Sequence, residues 1–188
     1  MIITLLAKKG GVGKSTLALL LHESFRQAKK SVAIRDWDAQ GTSNKALSLI
    51  GGHKAELEKT YDVLIYDTPP SLAHNATAVA VQSAQIALVV TSPSPADLWE
   101  AEEAARFVQE KNSQATVRLV FNRVRKGTVL ANVAHESAKR LVSVPALDSM
   151  LSARECYQHA LAQGWKALDS AAREEVLHLT LALLTLDR

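Results

Sequence analysis

Residues 8–16 read Lys-Lys-Gly-Gly-Val-Gly-Lys-Ser-Thr, and their flanks leave few folds open. The apolar run Ile2-Ile3-Thr4-Leu5-Leu6-Ala7 before them has the character of a buried strand, and Leu17-Ala18-Leu19-Leu20-Leu21 after them opens a helix. Strand, glycine-rich loop and helix in this order make a phosphate-binding loop. Gly10, Gly11 and Gly13 let the backbone turn tightly and aim its N–H groups at phosphate oxygens, and the helix N-terminus adds partial positive charge. Lys14 has the reach to meet the β- and γ-phosphates, the Ser15 hydroxyl suits Mg²⁺, and Val12 and Thr16 complete the stretch that would line a nucleotide. The usual pattern GxxxxGK[ST] begins with glycine where this chain has Lys8, and a second lysine, Lys9, stands directly before the glycines.

Strand and helix patterns alternate along the rest of the chain. Strands are predicted at 2–7, 32–36, 62–67, 85–91, 116–121 and 142–145, and helices at 14–29, 42–50, 54–60, 72–83, 95–111, 128–141, 152–163 and 170–186. The strands are short continuous apolar runs, such as Val63-Leu64-Ile65-Tyr66, which suit a parallel sheet covered on both faces. The alternation predicts right-handed βαβ units and an α/β fold, a doubly wound, mostly parallel sheet with helices on both faces. At 188 residues the chain is expected to form one domain over 1–188. Ligands of such sheets bind at the carboxyl ends of the strands, so chemistry should follow each strand.

It does. The second strand leads into Arg35-Asp36-Trp37-Asp38-Ala39-Gln40-Gly41, where two acids two apart point to opposite faces unless the chain turns. One would serve a Mg²⁺ shell and the other would face a water near the γ-phosphate; a solvated acidic turn is the plainer reading. The third strand ends in Asp67, followed by Thr68-Pro69-Pro70-Ser71. An acid closing an apolar strand can reach Mg²⁺ through water or hold the Ser15 hydroxyl. The prolines stiffen the exit, and Ser71 is a candidate N-cap for the next helix.

The stretch Lys-Gly-Gly-Val-Gly-Lys-Ser resembles the deviant Walker A loop of the ParA/MinD family of dimerising ATPases, and the segments at Asp36 and Asp67 resemble two further family elements. The resemblance implies a P-loop NTPase fold, ATP and Mg²⁺ as cofactors, and an ATP-dependent homodimer in which Lys9 reaches the partner's nucleotide. It implies catalytic roles for Lys9, Lys14 and Asp38, with Asp38 positioning the attacking water. Ser15, Asp36 and Asp67 become the metal set, with Asp36 in the outer shell, and Gln40 and Gly41 become part of a γ-phosphate sensor. Asn122, at the end of the fifth strand, and the backbone around Pro145 become candidate contacts to the base. Residues from Ser152-Ala153-Arg154 through Tyr157, Ala160 and Gly164 resemble the family's closing segment. Ala39 and Arg35 depart from the proline and the apolar residue common at those places.

Net charge is +3 and the isoelectric point is near 9.0, which permits nucleic-acid binding without requiring it. Arg123, Arg125 and Lys126 share one loop, Lys139 and Arg140 end a predicted helix, and Arg154 lies in the next. Together they are a candidate surface for nonspecific double-stranded DNA, since phosphate neutralisation needs no base reading. The single Cys156 leaves no internal disulfide and suggests a reducing compartment. The opening residues read as the first strand, so no signal peptide is expected, and no apolar run approaches the ~18 residues of a membrane span. The acidic run Glu100-Ala101-Glu102-Glu103 reads as a solvated helix face or a seat for a basic partner peptide. Residues 170–188 form a leucine-rich helix without the basic face of a membrane-binding helix.

These features lead to a cytoplasmic, nucleoid-associated ParA-type ATPase. It would partition a plasmid or chromosome, or position a protein cargo, under a ParB-like or cargo-adaptor activator. Three other readings stay open: a metabolic or assembly ligase on the same fold without DNA binding, a MinD-like membrane-cycling ATPase, and a module that binds nucleotide without hydrolysing it.

Overall fold

The structure, a computed structural model, describes residues 1–187; Arg188, placed above in the terminal helix segment, lies outside the described residues. Five strands form one sheet: β1 (Ile2–Leu6), β2 (Val32–Asp36), β3 (Val63–Asp67), β4 (Ile86–Thr91) and β5 (Thr116–Phe121). Their order is β2-β3-β1-β4-β5 and every pairing is parallel. β1 is central, with β3 and then β2 on one side and β4 and then β5 on the other, so the switch point lies at the carboxyl end of β1, where the glycine-rich loop begins.

Alternation of side chains explains the layers. Ile3 and Leu5 of β1 and Ile86, Leu88 and Val90 of β4 face one helical layer, while Leu6, Ala87 and Val89 face the other. The first layer holds α1 (Lys14–Gln27), α2 (Thr42–Ile50), α7 (Cys156–Gln163) and α8 (Ser170–Leu186). The second holds α3 (Asn75–Gln82), α4 (Pro95–Lys111) and α6 (Ala134–Leu141), with the short α5 (Val129–Asn132) leading into α6. The leucines of α8 pack inward through Val176, Leu179 and Leu183, and the Thr180 hydroxyl donates to the Ser24 hydroxyl of α1 at 2.8 Å. Among the described residues no helix is long and apolar enough to cross a membrane.

Several predicted elements differ. The helix expected at 54–60 is absent. His53 and Ala55 instead bond the outer edge of β2, through Ile34 N–H to the His53 carbonyl at 3.2 Å and Ala55 N–H to the Ile34 carbonyl at 2.9 Å. Covering an exposed edge outweighs the local helical pattern there. The helix expected at 128–141 breaks at Val133, and the Thr128 side chain caps its first piece. The strand expected at 142–145 shrinks to a single bridge between Leu119 and Ala146, after which residues 147–153 follow β5 as an irregular ribbon. The helix expected from 152 starts at Cys156, because Ser152 bridges to Val124 and extends that ribbon. The helix after β3 starts at Asn75 and is capped by His74, whose ring accepts from Ala76 N–H at 3.2 Å, so Ser71 is not its N-cap.

Candidate functional site

The glycine-rich loop turns through Gly11 (φ +82°) and Gly13 (φ +92°), which sit in the left-handed region that favours glycine. Gly13 is the N-cap of α1 and offers no side chain, so the first-turn amides of Lys14, Ser15 and Thr16 stay uncapped and open to an anion. A Cβ on Gly13 would overlap the Asn122 amide nitrogen, which itself donates to the Val12 carbonyl at 2.9 Å. Gly13→Ala should therefore lower stability by about 2 kcal/mol or more and weaken nucleotide binding, as read by thermal melts and equilibrium titration.

Lys14 is 6% exposed, and burial lowers its pKa against the pull of Asp67 and Asp38. The strand register sets Asp36 beside Asp67, at the ends of β2 and β3. Asp67 is fully buried, and burial raises its pKa to about 6 even though the Ser43 and Ser15 hydroxyls pull it down. Its Oδ2 accepts from Ser43, while its Oδ1 has no hydrogen-bond partner among the described residues. An orphaned buried carboxylate oxygen next to the hydroxyl of Ser15 is the donor set a hard cation wants, so Ser15 and Asp67 fit Mg²⁺. Asp36 works through the backbone: its Oδ1 accepts from Asp38 N–H and its Oδ2 from Asn44 N–H, both at 3.0 Å. The second contact caps the first turn of α2. Asp38 closes its own turn by accepting from Gln40 N–H at 3.0 Å, and it faces the cradle beside Gly10, Lys14 and Pro70.

Two cavities meet over the loop. The cradle holds about 270 Å³ and is lined by Gly10, Gly11, Gly13, Lys14, Ser15, Thr16, Asp38 and Gln40. A side cavity of about 360 Å³ continues from Gly13 and Thr16 past Asn122 to Ser152–Gln158. Asn122 thus stands at the side cavity and also ties the loop to β5. Pro145 does not line that cavity; its carbonyl accepts from Leu119 N–H at 3.0 Å, further down the strand edge. Residues Ser152–Arg154 line that cavity instead.

Lys9 turns away from this cradle. Its ammonium pairs with Asp97 and lies 3.6 Å from Glu100, both on α4, while Lys8 pairs with Glu103 at 2.7 Å. Glu102 accepts from Ser143 N–H at 2.6 Å and pairs with Arg106 at 2.5 Å. The acidic run is therefore occupied from within the chain and is not the purely solvated face its composition suggests.

The six candidate DNA cations separate. Glu175 of α8 takes Lys126 at 2.8 Å and Arg154 at 2.9 Å, and also accepts from Ser152 N–H and the Tyr157 hydroxyl, both at 2.9 Å. Those donors hold its carboxyl well below the usual range. Lys139 pairs with Glu136 at 2.9 Å. Arg125 and Arg140 are exposed and have no ion-pair partner among the described residues, and Arg123 lies over Gly13.

The family described as the CobQ/CobB/MinD/ParA nucleotide-binding domain matches residues 3–165. The chain belongs to this family. It is 28% identical to the "Maintenance of carboxysome distribution protein A" of Gloeobacter kilaueensis, across 89% of this chain and 83% of that protein. The MinD of a MinC:MinD cell division complex from Aquifex aeolicus superposes with a TM-score of 0.81 at 16% identity, covering 98% of this chain and 95% of that one. A putative plasmid partition protein from Borrelia burgdorferi bound to AMPPNP gives 0.76 at 18% identity, with 98% of each chain covered. At such identities these two structures speak for the fold alone, and the fold is that of the ParA/MinD P-loop proteins.

Within that ParA/MinD frame, Ser43, Asp97 and Glu175 shape the site without belonging to its motifs. Asp97 was legible in principle: Ser94-Pro95-Ala96-Asp97 is a helix start, and Ser94 indeed caps α4 by accepting from Asp97 N–H at 3.2 Å. Ser43 and Glu175 act across 24 and 23 residues of sequence, on Asp67 and Ser152 respectively, and carry no local signal.

Proposed function

We propose that the chain is an ATPase of the ParA type that dimerises on ATP, coats DNA without sequence preference and positions a cargo through partner-stimulated hydrolysis. One observation carries the reading: the cradle uses Lys14 from its own loop, while Lys9 lies outside it on an exposed rim, 45% accessible, where a second subunit can meet it. In the ATP state Lys14 and the uncapped amides of α1 bind the phosphates. Ser15 and Asp67 hold Mg²⁺, which neutralises the phosphate charge that builds during transfer. Asp38, fixed at the cradle wall by Asp36, orients the water, and Gln40 and Gly41 follow the γ-phosphate.

The similarity to a carboxysome distribution protein supports a protein assembly as cargo, with plasmid or chromosome partition the second choice. Arg125 and Arg140 supply the DNA surface, since Lys126, Arg154 and Lys139 are already paired.

A mobility shift on arbitrary duplex DNA with ATP, ADP or no nucleotide tests the proposal. Retardation only with ATP, weakened by salt and lost in Lys9→Ala, is the expected result. No retardation in any state, with nucleotide affinity intact, would overturn it and leave an assembly ATPase acting on protein or membrane.

A further inference from the structure

We infer that Arg123 is a nucleotide-binding residue acting in its own subunit, a guanidinium clamp for the α-phosphate. This deepens the proposed function and rests on its nucleotide site.

Only two residues other than glycine have positive φ among those described, Lys29 at +58° and Arg123 at +55°. Lys29 follows the end of α1, where the left-handed conformation is common. Arg123 directly follows Asn122 at the carboxyl end of β5, where arginine rarely adopts it and glycine would do so freely. The conformation is over-determined there. Arg123 N–H donates to Asn122 Oδ1 at 2.9 Å, and Asn122 Nδ2 donates to the Val12 carbonyl at 2.9 Å, so this backbone is tied to the phosphate loop.

The result is a placement. Arg123 Nε lies 3.7 Å from where a Cβ on Gly13 would stand. Four residues line both the cradle and the side cavity: Gly13, Thr16, Arg123 and Gln158. They mark the seam between the phosphate end and the base end. A nucleoside di- or triphosphate spanning both cavities sets its α-phosphate and ribose at that seam. The neighbouring cations Lys126 and Arg154 share Glu175, and Arg154 also lies 3.6 Å from Asp169, but Arg123 has no carboxylate partner among the described residues. A bare, planar guanidinium at that point matches a phosphate bidentately. Strain kept at a ligand-facing position is the usual sign of a functional side chain.

Arg123→Gly tests this with little risk to the fold, because glycine takes the same φ without strain. Its melting temperature without nucleotide should lie within about 2 °C of the parent or above it. Its affinities for ATP and ADP, titrated with Mg²⁺, should both fall about tenfold or more by a common factor, and Arg123→Lys should fall between. DNA retardation by Arg123→Gly should return at saturating ATP. Should the glycine variant melt early, Arg123→Gln against Arg123→Lys repeats the comparison at similar stem length. Affinities within about twofold of the parent would overturn the assignment. Loss for ATP alone would move the contact to the γ-phosphate and overturn it equally. Lost DNA retardation with unchanged nucleotide affinity would return Arg123 to the DNA surface. Failure of the parent itself to bind DNA would count against the proposed function and leave this assignment standing.

Discussion

Asp67→Asn is expected to stabilise the nucleotide-free protein while weakening Mg²⁺-dependent nucleotide binding by about 10–100-fold. Asparagine keeps an oxygen for the Ser43 hydroxyl and removes a charge that burial penalises. A folded pKa of about 6 against an ordinary 3.8 corresponds to roughly 3 kcal/mol of disfavoured ionisation at neutral pH. Lys14 loses a counter-charge in the variant, so only part of this is recovered, and the melting temperature should rise by about 3 °C. The pH dependence has a definite sign. The folded state holds this proton where the unfolded state has released it, so its stabilising contribution is complete below 3.8 and is lost as pH rises through about 6. The parent's melting temperature should carry that component and the asparagine variant should lack it. Protons and Mg²⁺ compete for the same carboxylate, so Mg²⁺-dependent affinity of the parent should fall below pH 6. A variant that melts lower at neutral pH and binds Mg²⁺-nucleotide normally would contradict this account of Asp67.

Asp38→Ala is expected to keep ATP binding and ATP-dependent dimers, and to lower turnover by about 10²–10⁴-fold. The proposed phosphate contacts come from the loop and α1, and no side-chain hydrogen bond of Asp38 supports either. What Asp38 contributes is a carboxylate at the cradle wall and one hydrogen bond to Gln40 N–H. Asp38→Asn retains that turn bond and separates the two contributions. If the turn alone matters, asparagine restores hydrolysis. If the carboxylate orients water, both variants are slow. Phosphate release and sedimentation with ATP decide between them, and normal hydrolysis by the alanine variant would remove Asp38 from the catalytic set.

The site up to Pro70 was legible because its signals are local. A glycine-rich loop between a strand and a helix, and acids closing the next two strands, lie within a few residues of the elements that carry them. Beyond β5 the wall of the side cavity is assembled by contacts at long range. Glu175 fixes Ser152, Arg154 and Tyr157 from another helix, and the ribbon at 147–153 exists because β5 has an edge to cover. The match to the family's last strand puts the backbone around Pro145 near the base, yet the Pro145 carbonyl is bonded two residues below the end of β5, at Leu119. The basic residues show the same limit: sequence counts Lys126, Arg154 and Lys139 as free charge, and each has an acid beside it.

The resting place of Lys9 has a consequence for assembly. In the isolated subunit its ammonium is already satisfied by Asp97 and Glu100, and Asp97 is steadied by the Ser92 and Ser94 side chains. If Lys9 crosses to a partner's nucleotide as proposed, it exchanges one set of anions for another. Phosphate charge on the facing subunit would then favour crossing, and its loss would favour return to the α4 acids, which would work as a return spring.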